Sequence, residues 1–384
     1  MGIHKLMSLI DEKAPDAVKE ITLDTLTGKK VAIDASMCIY QFLISTQTLK
    51  QGFGVTELRD KDGNLTGHLV GILNRTLSLL DHGIKPIWVF DGKAPQLKAG
   101  ELEERKEKKK EAKEKMDQLM EEGKDDEAAK MAQRSIRVTP EMTEDAKKML
   151  RLCNIPMVEA PSEAEAQCAQ MVKDELAFAT VTEDMDALTF GTTVLLRGFG
   201  NRKDPIRQIT LSKVLEGFEM SMDEFIDLCI LCGCDYTSSI SGIGPVKAFK
   251  YITQYKTIEE VLEVLEKENT KSKSATKKRY QIPEEFLYKE SRAFFNEPDV
   301  TKKEDLEEFK WGTPEEEALT KFLTEEKGFS EVTVNNALKK FKKTKGKANQ
   351  KRLDTFFKMG TKKSTSKVTK TKAAVKSKGK KSFK

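Results

Sequence analysis

The sequence predicts an α/β fold: a mostly parallel, twisted sheet flanked by helices. Three observations carry this. Short β-rich apolar runs alternate with amphipathic segments through the first 210 residues, several of those runs end in a carboxylate, and from about residue 211 the pattern is helical only. A chain of 384 residues has room for one large domain or two ordinary ones. No apolar run approaches the roughly 18–20 residues that a bilayer span needs, so no membrane partner is expected. The opening MGIHKLMSLIDEKAPD carries acids early and lacks a signal-type apolar stretch, which argues against secretion. Six cysteines in so long a chain read as free thiols of a reducing compartment.

In chain order, the strand-like runs are KKVAID (29–34), KPIWVFD (85–91), AFATV (177–181), TTVLLR (192–197) and IRQIT (206–210). Amphipathic segments at 35–50, 67–82, 140–152 and 163–173 lie between them as helices. Further helical patterns occupy 211–217, 222–233, 245–255 and 257–267, with shorter pieces to 341. Two stretches differ. Residues 101–130 hold 12 acidic and 9 basic side chains and no aromatic, as in a solvated helix laced with i,i+4 ion pairs or a mobile insertion. Residues 339–384 are rich in Lys, Ser and Thr; they bury too little apolar surface to offset chain entropy and are expected to be disordered.

The net charge of +5 conceals an asymmetry. Residues 339–384 contain 19 Lys and Arg and one acid, Asp354, a net of +18. The other 338 residues hold 48 bases and 61 acids, a net of −13. An acidic body with a lysine tail suits carboxylates with specific work and a tail that attracts polyanions or import receptors.

Ligands of open parallel sheets sit beyond the carboxyl ends of the strands. Asp34 ends VAID, Asp91 ends WVFD, and AFATV runs into TEDMD with Asp184 and Asp186. The segment APSEAEA adds Glu163 and Glu165, and Asp235 follows an apolar helix in CGCDY. Each acid has a local alternative. Asp34 or Asp91 could cap a helix, Ser162 with Glu165 fits a capping box, and Asp184 with Asp186 could close a turn. Seven converging carboxylates would, however, repel and raise one another's pKa, a conflict that divalent cations remove. Oxygen-only ligands suit Mg²⁺, and seven suit two ions, which can activate water and stabilise the leaving oxygen of a phosphodiester. The three histidines, His4, His68 and His82, lie outside these motifs. Cys229, Cys232 and Cys234 have ligand-like spacing, but no second Cys/His pair lies nearby and they fall on an apolar helix, so they read as structural.

Ser241-Gly242-Ile243-Gly244-Pro245-Val246-Lys247 reads as a glycine hairpin between helices, able to bring backbone N–H groups and a helix N-terminus to a phosphate. A plain helix–helix turn is the alternative. Lys98 and Arg105, seven apart, share a helical face pointing back toward the acids, where a cation could polarise a scissile phosphate. Tyr40 packs in a core or stacks on a nucleobase.

These blocks together resemble the flap endonucleases of eukaryotes, within the structure-specific 5′ nuclease superfamily (XPG-like, PIN fold). The match rests on M-G-I at the N-terminus, VAIDASMCIYQFL, WVFDGKAPQLK, EAPSEAEAQCA, TEDMDALTF and GCDYTSSISGIGP, in order along nearly the whole chain. The resemblance implies a PIN-like nuclease region at 1–109 and 127–255, a helical arch at 95–135 admitting a single-stranded 5′ flap, and a helix–two-turn–helix element at 222–255 that grips duplex DNA with K⁺. A C-terminal helical region at 256–337 and a tail at 338–384 would follow. It implies one Mg²⁺ on Asp34, Asp91, Glu163 and Glu165 and a second on Asp184, Asp186 and Asp235. Lys98, Arg105 and Asp184 would be catalytic, with Lys98 and Arg105 at the scissile phosphate. DNA contacts would come from Gly2, Tyr40, Gln47, Arg75, Glu163, Gly233, Asp235, Gly242, Gly244 and Lys247. The chain departs from the family pattern around 45–65: Gln47 stands where an arginine is common, before a longer polar loop.

In the tail, Gln350, Leu353, Phe356 and Phe357 form an apolar island; one helical turn would gather the last three as a plug. The peptide 350–357 is similar to those that bind the sliding clamp PCNA. The expectation is a monomeric Mg²⁺-dependent 5′ nuclease cutting 5′ DNA flaps at the duplex junction, with 5′–3′ exonuclease activity, in Okazaki-fragment maturation and long-patch base-excision repair. Its place would be the nucleus (nucleolus and nucleoplasm) and the mitochondrion. The rivals are a 5′ exonuclease or bubble nuclease of the same superfamily and a non-catalytic clamp-binding scaffold.

Overall fold

The computed structural model describes residues 2–46, 48–50, 54–56, 58–199, 205–271 and 280–347. Gln47 and the tail residues Gln350, Leu353, Phe356 and Phe357 lie outside them. Seven strands form the main sheet: β1 (Val18–Ile21), β2 (Lys30–Asp34), β5 (Lys85–Phe90), β6 (Met157–Glu159), β7 (Ala179–Val181), β8 (Val194–Arg197) and β9 (Ile206–Thr210). Their order is β1-β9-β8-β7-β2-β5-β6, while β3 (Thr48–Lys50) and β4 (Gly54–Thr56) make a separate hairpin. The five strands from β8 to β6 run parallel; β9 and β1 close one edge antiparallel. In the register, Asp34 faces Val89 and Ile33 faces Val181. The carboxyl ends therefore line up, and 34, 91 and 182–186 leave the sheet on one side.

Alternation along the central strands assigns the two faces. Val31, Ile33, Trp88 and Phe90 join the core beneath α2 (Ala35–Thr46), α3 (Gly67–Asp81) and α6 (Pro140–Leu152), whereas Ala32, Ile87 and Val89 pack under α7 (Ala164–Lys173). Complete burial of Phe90 alone contributes roughly 2–3 kcal/mol. A third cluster joins α1 (Leu6–Lys13) and α8 (Asp186–Thr189) to α9 (Leu211–Phe218), α10 (Met222–Cys232), α11 (Pro245–Tyr255) and α12 (Ile258–Lys271). Cys229 and Cys232 are buried within it. No helix among the described residues is long and apolar enough to cross a membrane.

Four expectations change, the first being that the helix expected over 35–50 stops at Thr46, with β3 beginning at Thr48. Strands β1 and β6 carry no alternating apolar signal, because β1 buries only Ile21 at the sheet edge and β6 spans three residues. The charged stretch is two helices, α4 (Ala99–Glu121) and α5 (Asp125–Ser135), parted at Gly123, whose φ of 71° is a left-handed turn that glycine adopts without strain. The tail boundary also moves. After α13 (Tyr288–Asn296) and α14 (Glu316–Lys321), helix α15 runs Glu331–Lys347, past the expected boundary at 338, because Leu338 and Phe341 are buried against the α3 side of the core. Lysines surrounding those two residues hide the signal.

Candidate active site

The acids at the strand ends form the floor of a cavity of about 1440 Å³. Asp34, Asp91, Glu163, Glu165, Asp184 and Asp235 line it; Asp186 lies behind Asp184. Each is set by local structure. Asp34 is 2% exposed; its Oδ1 accepts from Met37 N (2.9 Å), capping α2, and its Oδ2 accepts from Thr182 Oγ1 (2.9 Å). The capping alternative thus holds for one oxygen of Asp34. Asp91 caps not the next helix but α7, accepting from Ala164 N at 2.8 Å. The capping box of Ser162 and Glu165 does not form, since Glu163 is the N-cap and makes no side-chain cap bond. Thr182 Oγ1 accepts from Asp184 N (3.1 Å), and Asp184 Oδ1 accepts from Asp186 N (3.0 Å), which folds the TEDMD turn onto itself.

Asp34, Glu163, Asp184 and Asp186 are buried, Glu165 and Asp235 half-buried and Asp91 exposed, and gathering like charges with so little water costs free energy. Burial, then the Asp91 charge, pushes Asp34 up to about 7. Burial with Asp34 and Asp91 raises Glu165 well above the carboxylate range; burial with Asp184 and Asp235 does the same to Asp186. Glu165 Oε2 and Asp186 Oδ1 are buried without a hydrogen-bond partner. Orphaned anionic oxygens beside like charges fit a divalent cation. Among the described residues no three His, Cys, Asp or Glu side chains stand close enough together to hold a metal ion directly. Carboxylate oxygens are the donors that suit Mg²⁺, which binds through few protein ligands and keeps several of its waters.

Two cations already reach this floor from the arch. Lys98 Nζ donates to Glu163 Oε2 and lies 3.8 Å from Asp235 Oδ2. Burial works against its charge, but Glu163, Glu165 and Asp235 outweigh that and raise its pKa. Arg105 Nη2 donates to Asp235 Oδ2 at 2.6 Å while its Nε holds Glu101 at 2.7 Å. The expected common face of Lys98 and Arg105 is present. The rest of the arch was not legible. Although 101–130 is net acidic, the residues of 98–137 that line the cavity include ten bases and two acids, Glu103 and Glu111. Lys109, Arg134 and Arg137 are among them, and burial followed by Arg105 and Arg137 lowers the Lys109 pKa. Such like-charge crowding favours an anionic guest. Sequence counts cannot separate the inner from the outer face; the helical phase of Lys109 relative to Arg105 is the signal that could.

The other candidates divide. Tyr40 is half-buried in the cavity wall, with Lys109 Nζ 5.9 Å from its ring. Gly2 lies against the floor: with φ at 70°, a Cβ there would stand 1.8 Å from Asp184 Oδ1 and 2.4 Å from Asp186 Oδ1, so no side chain fits. Gly233 ends α10, and its carbonyl accepts from His4 N at 3.2 Å. Arg75 does not line the cavity but stacks on Phe42, 5.0 Å from the ring centroid. Gly242, Gly244 and Lys247 form the expected hairpin outside the cavity: Gly244 caps α11, and Lys247 Nζ folds back onto Gly242 O at 2.6 Å. Two floor supports escaped sequence reading, Thr182 and the buried Tyr236, whose ring lies 5.8 Å from Lys98 Nζ.

The chain is similar to known proteins in sequence and in fold. Residues 1–112 match the XPG N-terminal domain and residues 154–235 the XPG I-region. The chain is 49% identical to Flap endonuclease 1 of Tetrahymena thermophila over 99% of its own length and 100% of that protein's. The flap endonuclease-1 structure from Methanococcus jannaschii matches with a TM-score of 0.64 at 34% identity, over 85% of this chain and 96% of that one. The catalytic core of Rad2 in complex with DNA substrate matches with a TM-score of 0.66 at 26% identity, over 88% and 100%. With the likeness running from end to end, the chain belongs to the flap endonuclease 1 family and is a structure-specific flap nuclease.

Proposed function

We propose that the chain is a Mg²⁺-dependent nuclease that cuts 5′ DNA flaps at the junction with duplex and also degrades 5′ ends. The observation that carries this is the opposition of charge in one cavity: a floor of clustered carboxylates, four of them buried, beneath a ceiling of bases. Asp34, Asp91, Glu163 and Glu165 would hold one ion, and Asp184, Asp186 and Asp235 the other. Bound there, the ions supply an activated water and stabilise the leaving oxygen of the phosphodiester. Lys98 and Arg105, which here bond Glu163 and Asp235, would turn their N–H donors to the scissile phosphate and neutralise charge that develops on it. Tyr40 presents a ring to the nucleotide beside the cut, and Gly2 leaves the room that a side chain would fill.

Away from the cut, Gly242, Gly244 and Lys247 would grip the duplex backbone without reading sequence, with K⁺ at that element. Gly233, Arg75 and Gln47 would add contacts. DNA with a 5′ flap is the substrate, and the Rad2 core in complex with DNA substrate supports DNA binding by this fold. We further propose a monomer that uses Gln350, Leu353, Phe356 and Phe357 to bind PCNA. It would serve Okazaki-fragment maturation and long-patch base-excision repair in the nucleus and mitochondrion.

The test is to incubate the chain with end-labelled flap, nicked and bubble DNAs, with and without Mg²⁺. Junction-specific flap cleavage that needs Mg²⁺ is expected; a preference for nicked or bubble DNA selects the rival nuclease, and no cleavage selects the scaffold. For the tail, Phe356→Ala with Phe357→Ala should weaken clamp binding by roughly a hundredfold or more while sparing cleavage of naked flaps. Undiminished stimulation by the clamp would refute the peptide.

A further inference from the structure

Residues 297–315 run as a strap from α13 to α14, covering α7 and the sheet beneath it. Leu306, Phe309 and Trp311 pack on that apolar face, and Trp311 Nε1 donates to Pro86 O at 2.9 Å. Where the strap meets α7 it makes a paired contact. Gln167 is completely buried; its Nε2 donates to Thr301 O (3.0 Å), and Thr301 N donates to its Oε1 (2.7 Å). A flipped amide would lose both bonds, so the pairing has one geometry. At the far end of the helix, Lys303 Nζ donates to Asp174 O at 3.2 Å.

The place of this clasp matters. Gln167 N donates to Glu163 O at 3.2 Å, so the amide sits one turn from Glu163 and beside the turn that carries Glu165. In front, Asp91 holds the first N–H of the helix. Behind, the strap holds Gln167, and at its own start it is tied to α10: Arg292 on α13 donates to Asp227 at 2.6 and 2.8 Å. Helix α10 in turn delivers Asp235. The strap thus sets the carboxylates of α7 relative to the one that follows α10.

We propose that Gln167 is a positioning residue for the acidic floor. Its clasp with Thr301 fixes α7 along its axis, and so fixes where Glu163 and Glu165 present their oxygens to a divalent cation. This rests on the metal-dependent reading above.

Gln167→Met in the full chain keeps the volume and removes both bonds. Two quantities report on it: the rise in Tm on adding Mg²⁺, and the Mg²⁺ concentration giving half-maximal single-turnover flap cleavage. The half-saturating concentration should increase about tenfold and the Mg²⁺-induced Tm rise should shrink, with flap Kd in the absence of Mg²⁺ unchanged. Gln170→Met, on the same helix but bonded to Asp174 (2.9 Å), should change neither. A variant that loses Tm equally with and without Mg²⁺, at wild-type half-saturation, overturns the proposal. If Gln167→Met does not fold, Gln167→Asn, which keeps the amide but shortens its reach, decides by the same two quantities. A wild-type chain whose Tm ignores Mg²⁺ refutes the metal reading itself, and this inference falls with it.

Discussion

The floor and the ceiling of the cavity carry opposite charge and are built in opposite ways. On the floor, Asp34, Glu163, Asp184 and Asp186 are between 2% and 5% exposed and stand on strand ends or the first turn of a helix. Their geometry is set by backbone groups such as Met37 N and Asp186 N. In the ceiling, α4 buries only Ala112 and Leu119 among its 23 residues, and apart from Arg105 with Asp235 its ion pairs are short-range. A rigid scaffold can hold repelling charges together at a cost, and that cost makes the site demand a cation. A solvated helix holds its charges at little cost and can exchange partners. Chemistry belongs to the first kind of region, and capture of the substrate to the second.

The largest effect should come from the floor. Asp184→Ala is expected to reduce single-turnover cleavage by on the order of a thousandfold or more while leaving flap binding near wild type. Asp184→Asn keeps an acceptor for Asp186 N and should be nearly as defective, which separates lost charge from lost turn geometry. Near-normal turnover of either variant in saturating Mg²⁺ would break the contrast.

Lys98 and Arg105 sit on the ceiling but pair with the floor. Lys98→Ala and Arg105→Ala should each slow the chemical step by roughly a hundred- to a thousandfold, far more than they weaken binding, because they act where charge develops. If both variants mainly raise flap Kd, these residues belong with the other arch cations.

How much of this the sequence discloses follows the same division. All the expected strands form; the central parallel ones are legible because a strand buried on both faces needs a continuous apolar run, which Asp34 or Asp91 ends visibly. Asp34, Asp91, Asp184 and Asp186 were identifiable beside such runs, and Glu163, Glu165 and Asp235 at the ends of helical patterns. Gln167, Thr182 and the reach of α15 to Lys347 were not: their roles depend on partners more than a hundred residues away or on two apolar side chains in a lysine run. The basic lining of the arch was hidden for a different reason. Composition averages over a helix, whereas the cavity sees one face.

An intermediate effect is expected from pH. The pKa of Asp34 lies at about 7 in the fold against 3.8 for the free side chain, so the native state binds the extra proton between those values. Native stability without divalent cations is therefore greatest below about 4 as far as this group is concerned, and is lost as pH rises through about 7. In EDTA, the Tm should fall from pH 6 to pH 8 by an amount on the order of one to a few kcal/mol of stability. With Mg²⁺ present the fall should be offset, since the cation replaces the proton. A Tm that rises with pH in EDTA would show that the floor is not a cluster of repelling acids.

The smallest effects should come from the ceiling itself. Lys109, Arg134 and Arg137 face the cavity without a floor carboxylate assigned to them, so each acts on a polyanion through screened charge. Replacing any one by Ala should leave the single-turnover rate at saturation nearly unchanged and weaken flap binding only a few-fold at moderate salt. The sharper measurement is the salt dependence of binding: each lost phosphate contact lowers the slope of log K against log[salt] by about 0.7–0.9. Glu104→Gln supplies the matching control, because its pair with Lys108 is more than half exposed and lies on helix surface where such pairs contribute little. A slope that falls for the three inward bases and not for Glu104 assigns the inner face to the substrate. If Lys109→Ala instead reduces the saturated rate as strongly as Lys98→Ala, the ceiling takes part in the chemistry, because a base that acts only in capture changes how much substrate is bound and not how fast the bound substrate is cut.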